Sequence, residues 1–392
     1  MNEEKRQSII KSLQETRDKR KSQRCFVLEL KIDYSKLNLI QKNYLKMIFI
    51  ESKWLYNYYL SQEDIFKASD KVDFVMAKDK DGNLVEKQLL ILPAKIKQSI
   101  FAQIKQNIVN LSKSKKKGNT IGKLKFKSEI NSVDFNQYGN THKIVKGKFR
   151  LAGCKKRFRV HGLDQIDDSY EIANAKLIRK ASGYYIKVTC FKNIVDKDFN
   201  FIKDKKGDVG LDFGVKDNII TSNGDFYNVK VQEDERLKRL QRKLARQKKS
   251  SRNFYKTVIK IRKQYEYLTN QKKDKANKIV NELCKNHTTV YIQDENIKGW
   301  YSGLFGKQLQ HSALGTIKSK LIQQKNVIVI DRYLPTTKMC YVCGKINKNI
   351  KLSDRIFKCD CGYEEHRDIK ASKTVLYFGR FENNYIPSER RE

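Results

Sequence analysis

Acidic residues are the scarce charge in this chain. Asp and Glu number 44 against 83 Lys and Arg in 392 residues, a formal net charge of +39. A field of that sign attracts polyanions, because phosphates release condensed counterions on contact with it. Long apolar runs are missing too. None approaches the roughly 20 residues that cross a bilayer. Residues 1–24 are almost wholly polar, unlike a secretory leader. A soluble, cytoplasmic protein with no membrane partner is the expectation. Proline is rare, three in all, and absent from residues 233–283, so nothing breaks a helical pattern there. Cysteine is sparse outside one cluster. Cys25, Cys154, Cys190 and Cys284 are scattered, which in a reducing compartment reads as small buried hydrophobes.

The length predicts two to four compact units. Residues 1–24 read as a flexible basic arm, either mobile or a solvated helix. Phe26–Ile32 alternates as a strand. Leu45, Ile48, Trp54, Leu55 and Tyr58 recur at helical spacing between about 38 and 66, and a second helix is expected over 94–112 behind Pro93. Lys113–Gly118 reads as a basic loop. Short alternating runs with turn signals over 123–192 predict strands, such as those of a small β-barrel. Residues 208–231 read as two strands about the Asn223-Gly224 turn. From Arg236 to Lys275 there are sixteen Lys/Arg and two acids, Glu266 and Asp274, on a helical pattern that breaks at Ser250-Ser251. That excess favours a phosphate-tracking arm over an ordinary solvated face. Strands about 290–292 and 327–330, with helices at about 312–324 and from Asp368, predict a mixed α/β domain. Residues 379–392 read as a disordered tail.

The cluster comprises Cys340, Cys343, Cys359 and Cys361. Two close pairs of thiolates suit a tetrahedral Zn²⁺ of structural type, because four protein ligands leave no open position. The second pair is C-x-C, tighter than the commoner C-x-x-C, and His366 stands close enough to be a substitute ligand. Three acids stand in distant segments. Asp212 lies in Gly210-Leu211-Asp212-Phe213-Gly214, Glu295 closes Val290–Glu295, and Asp368 opens the last helix. Asp368 alone could be a helix cap. As a trio they supply the oxygen ligands that a pair of Mg²⁺ ions needs for phosphodiester hydrolysis. Glu295 is preferred to Asp294 by strand alternation with Gln293. Trp300 and Tyr301, just beyond, are read either as base-stacking or as packing residues.

Gly210–Val215, Asp294–Gly299, the four cysteines and Arg367–Ala371 together resemble the TnpB proteins of insertion-sequence transposons, which are similar to compact type V CRISPR effectors. The likeness covers residues 206–378 specifically and the first half in outline. It implies an α/β multidomain protein: an RNase H-like RuvC nuclease domain (206–333 and 364–378) with an inserted zinc ribbon (334–363). Ahead of it would stand a wedge-type β-barrel (25–36 and 129–205) holding a helical recognition domain (37–128), with an arm (1–24) and a tail (379–392) outside. It implies an RNA-guided DNA endonuclease in a prokaryotic, nucleoid-associated setting, with a guide RNA and target double-stranded DNA as partners and Mg²⁺ and Zn²⁺ as cofactors. Asp212 and Asp368 match the first and third catalytic acids. The family places Glu where this chain has Gln293, and Glu295 lies two residues on. The alternatives are an RNA-guided repressor that binds without cutting, and a guide-independent nuclease or transposition accessory.

Overall fold

Alternating apolar residues fold the first half of the chain into a sheet. The computed structural model describes residues 3–79, 81–193, 205–215, 219–231, 235–303, 306–351 and 353–381, and the chain divides into two units, Met1–Val195 and Asp196–Glu392.

The first unit opens with helix α1 (Glu3–Lys21), so its described residues take the helical of the two forms left open for the arm. Then come β1 (Gln23–Ile32), α2 (Leu39–Leu60), β2 (Phe74–Lys78), β3 (Leu84–Gln88) and α3 (Ala94–Lys116). Strands β4 (Ser132–Phe135), β5 (His142–Val145), β6 (Lys148–Leu151), β7 (Val160–His161), β8 (Glu171–Lys180) and β9 (Gly183–Asn193) follow. The main sheet runs β4-β8-β9-β1-β7, antiparallel throughout, and a single Phe149–Phe158 bridge joins hairpin β5-β6 to the segment leading into β7. One face is buried: Leu30 and Ile32 of β1 and Ile186, Val188 and Cys190 of β9 share a core with Leu45, Ile48 and Phe49 of α2 and Ile96 and Ile104 of α3. Helix α2 begins with a reciprocal Asn38–Gln41 capping box. Hairpin β2-β3 was not anticipated. Lys113–Lys116 is the last turn of α3, not a loop, and cations there suit the negative end of the helix dipole. Cys154 and Cys190 are buried as expected, but Cys25 is exposed.

The second unit is a sheet with helices on both faces. Its elements are β10 (Val209–Phe213), β11 (Ile219–Thr221), β12 (Phe226–Tyr227), α4 (Glu235–Ala245), α5 (Arg252–Asn286) and β13 (Val290–Gln293). After these come α6 (Ile297–Ser302), α7 (Gly306–Gln310), α8 (Leu314–Leu321), β14 (Val327–Ile330), β15 (Ile356–Lys358), β16 (Glu364–His366) and α9 (Arg367–Phe381). The order is β12-β11-β10-β13-β14. The first three strands are antiparallel, and β13 and β14 run parallel to β10. Strands buried on both faces read as largely apolar runs, as in Val290-Tyr291-Ile292 of β13 and, interrupted by Asp212, in β10. Leu211 and Ile292 pack toward Ile279, Leu283, Leu314 and Ile317 of α5 and α8, while Tyr291 packs toward Val375 and Phe378 of α9. The chain breaks between α4 and α5 where expected. Ser250 takes φ 65° and the Ser251 hydroxyl caps α5 by accepting the Phe254 N–H. Helix α9 extends to Phe381; the rest of the expected tail lies outside the described residues. No helix among the described residues is long and apolar enough to cross a membrane.

Candidate functional site

Strand parity sets the first acid. A Cβ on Gly210 would lie 2.1 Å from the Ser372 carbonyl oxygen and 2.6 Å from the Leu376 nitrogen, so this glycine admits α9 against β10. Asp212, two residues on, points to the same face. Asp368 stands in the first turn of α9. Burial pushes the Asp212 carboxyl up to about 7, and the charges of Asp368 and then Glu295 push the same way, against Arg367 and Lys370. Asp212 therefore feels both of the other acids. Its carboxylate has no hydrogen-bond or ion-pair partner among the described residues. Asp368 is held at 3.2 Å by Arg367 Nε and at 3.8 Å by Arg355 Nη1.

The middle position offers three residues, each with a different task. Gln293 is buried, and its Nε2 donates to the carbonyls of Asp331 (3.1 Å), Arg332 (3.2 Å) and Leu334 (2.9 Å). Its Oε1 accepts from the Thr336 hydroxyl at 2.8 Å. Asp294 is paired with Lys318 Nζ at 2.8 Å and with Arg332. Burial raises its carboxyl, but the two cations outweigh that and hold it below the ordinary value. Glu295 alone keeps a carboxylate with no hydrogen-bond or ion-pair partner among the described residues. Burial raises it, against the pull of Lys318 and Arg332. The alternation argument for Glu295 does not survive, because β13 stops at Gln293. Glu295 sits in a tight turn: its N–H donates to the Gln293 carbonyl at 2.8 Å and its own carbonyl accepts from Ile297 N–H at 2.9 Å. Lys318 Nζ also donates to that Glu295 carbonyl at 2.5 Å.

The cysteines converge more closely. Their four sulfurs lie within 4.8 Å of one another, the one such set among the described residues. Cys340 and Cys361 are 3.9 Å apart and Cys343 and Cys359 3.5 Å. Four thiolates at about 2.3 Å from a tetrahedral Zn²⁺ stand about 3.8 Å from each other, so the residues fit that ion. The Lys345 backbone N–H lowers the Cys343 thiol to about 7, toward the thiolate that a metal takes. Gly344 (φ 76°) and Gly362 (φ 88°) make the turn after each pair, a conformation a side chain would strain. His366 lies outside the set. The carboxylate oxygens of Asp212, Glu295 and Asp368 do not all lie within 4.8 Å of one another.

Lys370 was missed from sequence. It is fully buried, and its Nζ donates to the carbonyls of Thr336 (3.1 Å), Thr337 (2.5 Å) and Met339 (3.0 Å). Burial pushes its ammonium down to about 8. It stands in the same motif as Asp368, but nothing local to residue 370 signals a partner over thirty residues earlier. Of the aromatic pair, Trp300 packs against the core and Tyr301 is 40% exposed. Tyr301 lines an open cleft of about 430 Å³ with Lys298, Lys318 and Arg332.

Comparison with known proteins bears out the resemblance read from the sequence. Residues 202–302 match the family model described as "Probable transposase", and residues 316–375 match the Cas12f1-like TNB domain. A "Putative RNA-guided DNA endonuclease" of Streptomyces pristinaespiralis is 28% identical over 180 residues, 44% of this chain and 45% of that protein. The "Putative RNA-guided DNA endonuclease InsQ" of Escherichia coli K12 is 27% identical over 195 residues, 44% of this chain and 48% of the relative. The matched segment thus spans about half the length of these relatives. A solved Cas12f1–sgRNA–target DNA complex aligns with 72% of this chain and 71% of its own at 14% identity and TM-score 0.41.

Proposed function

We propose that the second unit is an RNase H-like nuclease domain of RuvC type, and that the whole chain is an RNA-guided endonuclease of double-stranded DNA. The observation that carries this reading is the convergence on Asp212, whose carboxyl has no partner among the described residues and is raised to about 7 by burial and then by the charges of Asp368 and Glu295, two acids from other segments. Such a carboxyl is poised to exchange its proton for a divalent cation. Asp212, Glu295 and Asp368 would hold Mg²⁺, whose ions activate water and stabilise the leaving oxygen in phosphodiester hydrolysis. Arg355 and Arg367 orient Asp368, and Lys318 holds the turn that carries Glu295. Gln293 is not a ligand in this reading, because its amide serves the segment that follows β14, and Glu295 takes the middle place. Zn²⁺ at Cys340, Cys343, Cys359 and Cys361 is structural in this reading.

The remaining parts divide the work of guided recognition. Base pairing reads the sequence, and protein cations hold the backbones of the heteroduplex and the displaced strand. The sixteen Lys/Arg from Arg236 to Lys275, on α4, α5 and the link between them, suit that task. The antiparallel sheet of the first unit takes the wedge role, and α2 and α3 the recognition role, with boundaries at 24, 36, 128, 205, 333, 363 and 378. The names of the curated relatives support guide RNA and DNA as partners.

The test is to sequence the RNA that copurifies with the full chain and to challenge a guide-matched plasmid with Mg²⁺. Cleavage that Asp212→Ala abolishes supports the reading. Bound guide with no cleavage leaves the non-cutting repressor, and absence of any discrete RNA refutes guidance.

A further inference from the structure

The four-cysteine knot and the helix that carries Asp368 share one buried anchor. Lys370 uses all three ammonium protons on the carbonyls of Thr336, Thr337 and Met339. Met339 directly precedes Cys340, the buried sulfur of the knot. The same ammonium lies 4.0 Å over the ring of Phe357, on β15 inside the cysteine segment. The anchor therefore touches both ends of the inserted ribbon.

Lys370 follows Asp368 by two residues, about 200° around the helix. A pin on one side of the first turn fixes which way the other side faces. Further ties run from the ribbon and from β16 to the first two turns of α9. Arg355 lies 3.8 Å from Asp368, Lys373 donates to Glu365 at 2.5 Å, and Arg367 Nη1 donates to the Lys351 carbonyl at 3.2 Å. Gln293 fastens the start of the strap, at Asp331 to Thr336, and Lys370 its end.

We propose that Lys370 is a positioning residue that transmits closure of the thiolate knot to Asp368, so that Zn²⁺ at the cysteines and a divalent cation at the carboxylates bind with positive coupling. This rests on the carboxylate reading above. With the knot closed on metal, the 336–339 carbonyls hold one place, Lys370 is seated, and Asp368 faces Asp212. With the knot open, the strap loses its fixed end and the first turn of α9 is free to rotate. Coupling of this kind is reciprocal and commonly amounts to about 5- to 150-fold in affinity.

A thermodynamic cycle on the full chain tests it, with Mn²⁺ binding by electron paramagnetic resonance as the readout in place of cleavage. Zinc is extracted with a mercurial and its release followed with a chromophoric chelator. Extraction is expected to weaken Mn²⁺ binding about tenfold in the wild-type protein. Lys370→Met with zinc in place is expected to bind Mn²⁺ about tenfold more weakly, and extraction should then change its affinity by less than about twofold. Equal factors in the two proteins would overturn the proposal, since a purely structural lysine lowers the melting temperature without absorbing the zinc effect. A wild-type affinity indifferent to zinc overturns it as well, whether or not the variant folds. Wild-type protein that binds no more Mn²⁺ than Asp212→Asn overturns the carboxylate reading and this proposal with it, so the two failures are distinguishable.

Discussion

Asp212 is a carboxyl whose own fold works against its charge. Its pKa in the folded chain, about 7, lies above the ordinary 3.8 because of burial and then Asp368 and Glu295. The folded protein therefore holds a proton there that the unfolded chain gives up, and metal-free stability falls as pH rises from 3.8 to about 7. Asp212→Asn should stabilise the metal-free protein at pH 8 by roughly 1–4 kcal/mol, read in urea melts. It should also remove most of the stabilisation that Mg²⁺ gives the wild type. An unchanged melt at pH 8 would mean that the three acids do not share a field. Gln293 makes the opposite case. Its amide faces three carbonyls, so Gln293→Glu would set a carboxylate against three acceptors and cost roughly 2–4 kcal/mol. A variant as stable as the wild type would show that the amide is not the fastener it is taken to be.

At the scale of elements, close approach decides the site. Gly210→Ala would drive a methyl group into the α9 backbone, where the nearest oxygen is 2.1 Å away. The backbone cannot yield locally, so about 3 kcal/mol should be lost and Asp368 should move from Asp212. A drop in thermal midpoint together with weakened Mn²⁺ binding would show both effects. This glycine stands in the same motif as Asp212, yet its reason lies in a helix about 160 residues later. Helices α2, α3, α5 and α8 and strands β1, β13 and β14 were legible because their apolar period is local. Hairpin β2-β3 was not, since its short strands leave Phe74, Met76 and Leu84 exposed and show little contrast between faces. The alternation reading of Glu295 extends β13 two residues past its end. Of the three residues at the middle position, Glu295 is the one whose carboxylate has no partner among the described residues, but a tight turn held by Lys318 presents it, and no strand-alternation rule foresees that. Lys370 was illegible because buried lysine looks in sequence like any surface lysine until its three carbonyls are known.

For the whole molecule, +39 of net charge means that affinity for nucleic acid should fall steeply with salt. Lys256, Lys260 and Lys263 lie on the exposed side of α5. Replacing all three with Gln should reduce the slope of log K against log salt by about 2–3, with little change in which sequences are bound. An unaltered slope would place the phosphate path elsewhere. The central claim is that Asp212, Glu295 and Asp368 together hold catalytic cations. Calorimetric titration of Mn²⁺ into zinc-loaded protein, with Glu295→Gln beside the wild type, addresses it most directly. The account predicts that the wild type takes up two ions per chain, and that the variant loses one or binds both at least about tenfold more weakly. Two ions held with unchanged affinity by Glu295→Gln would contradict it.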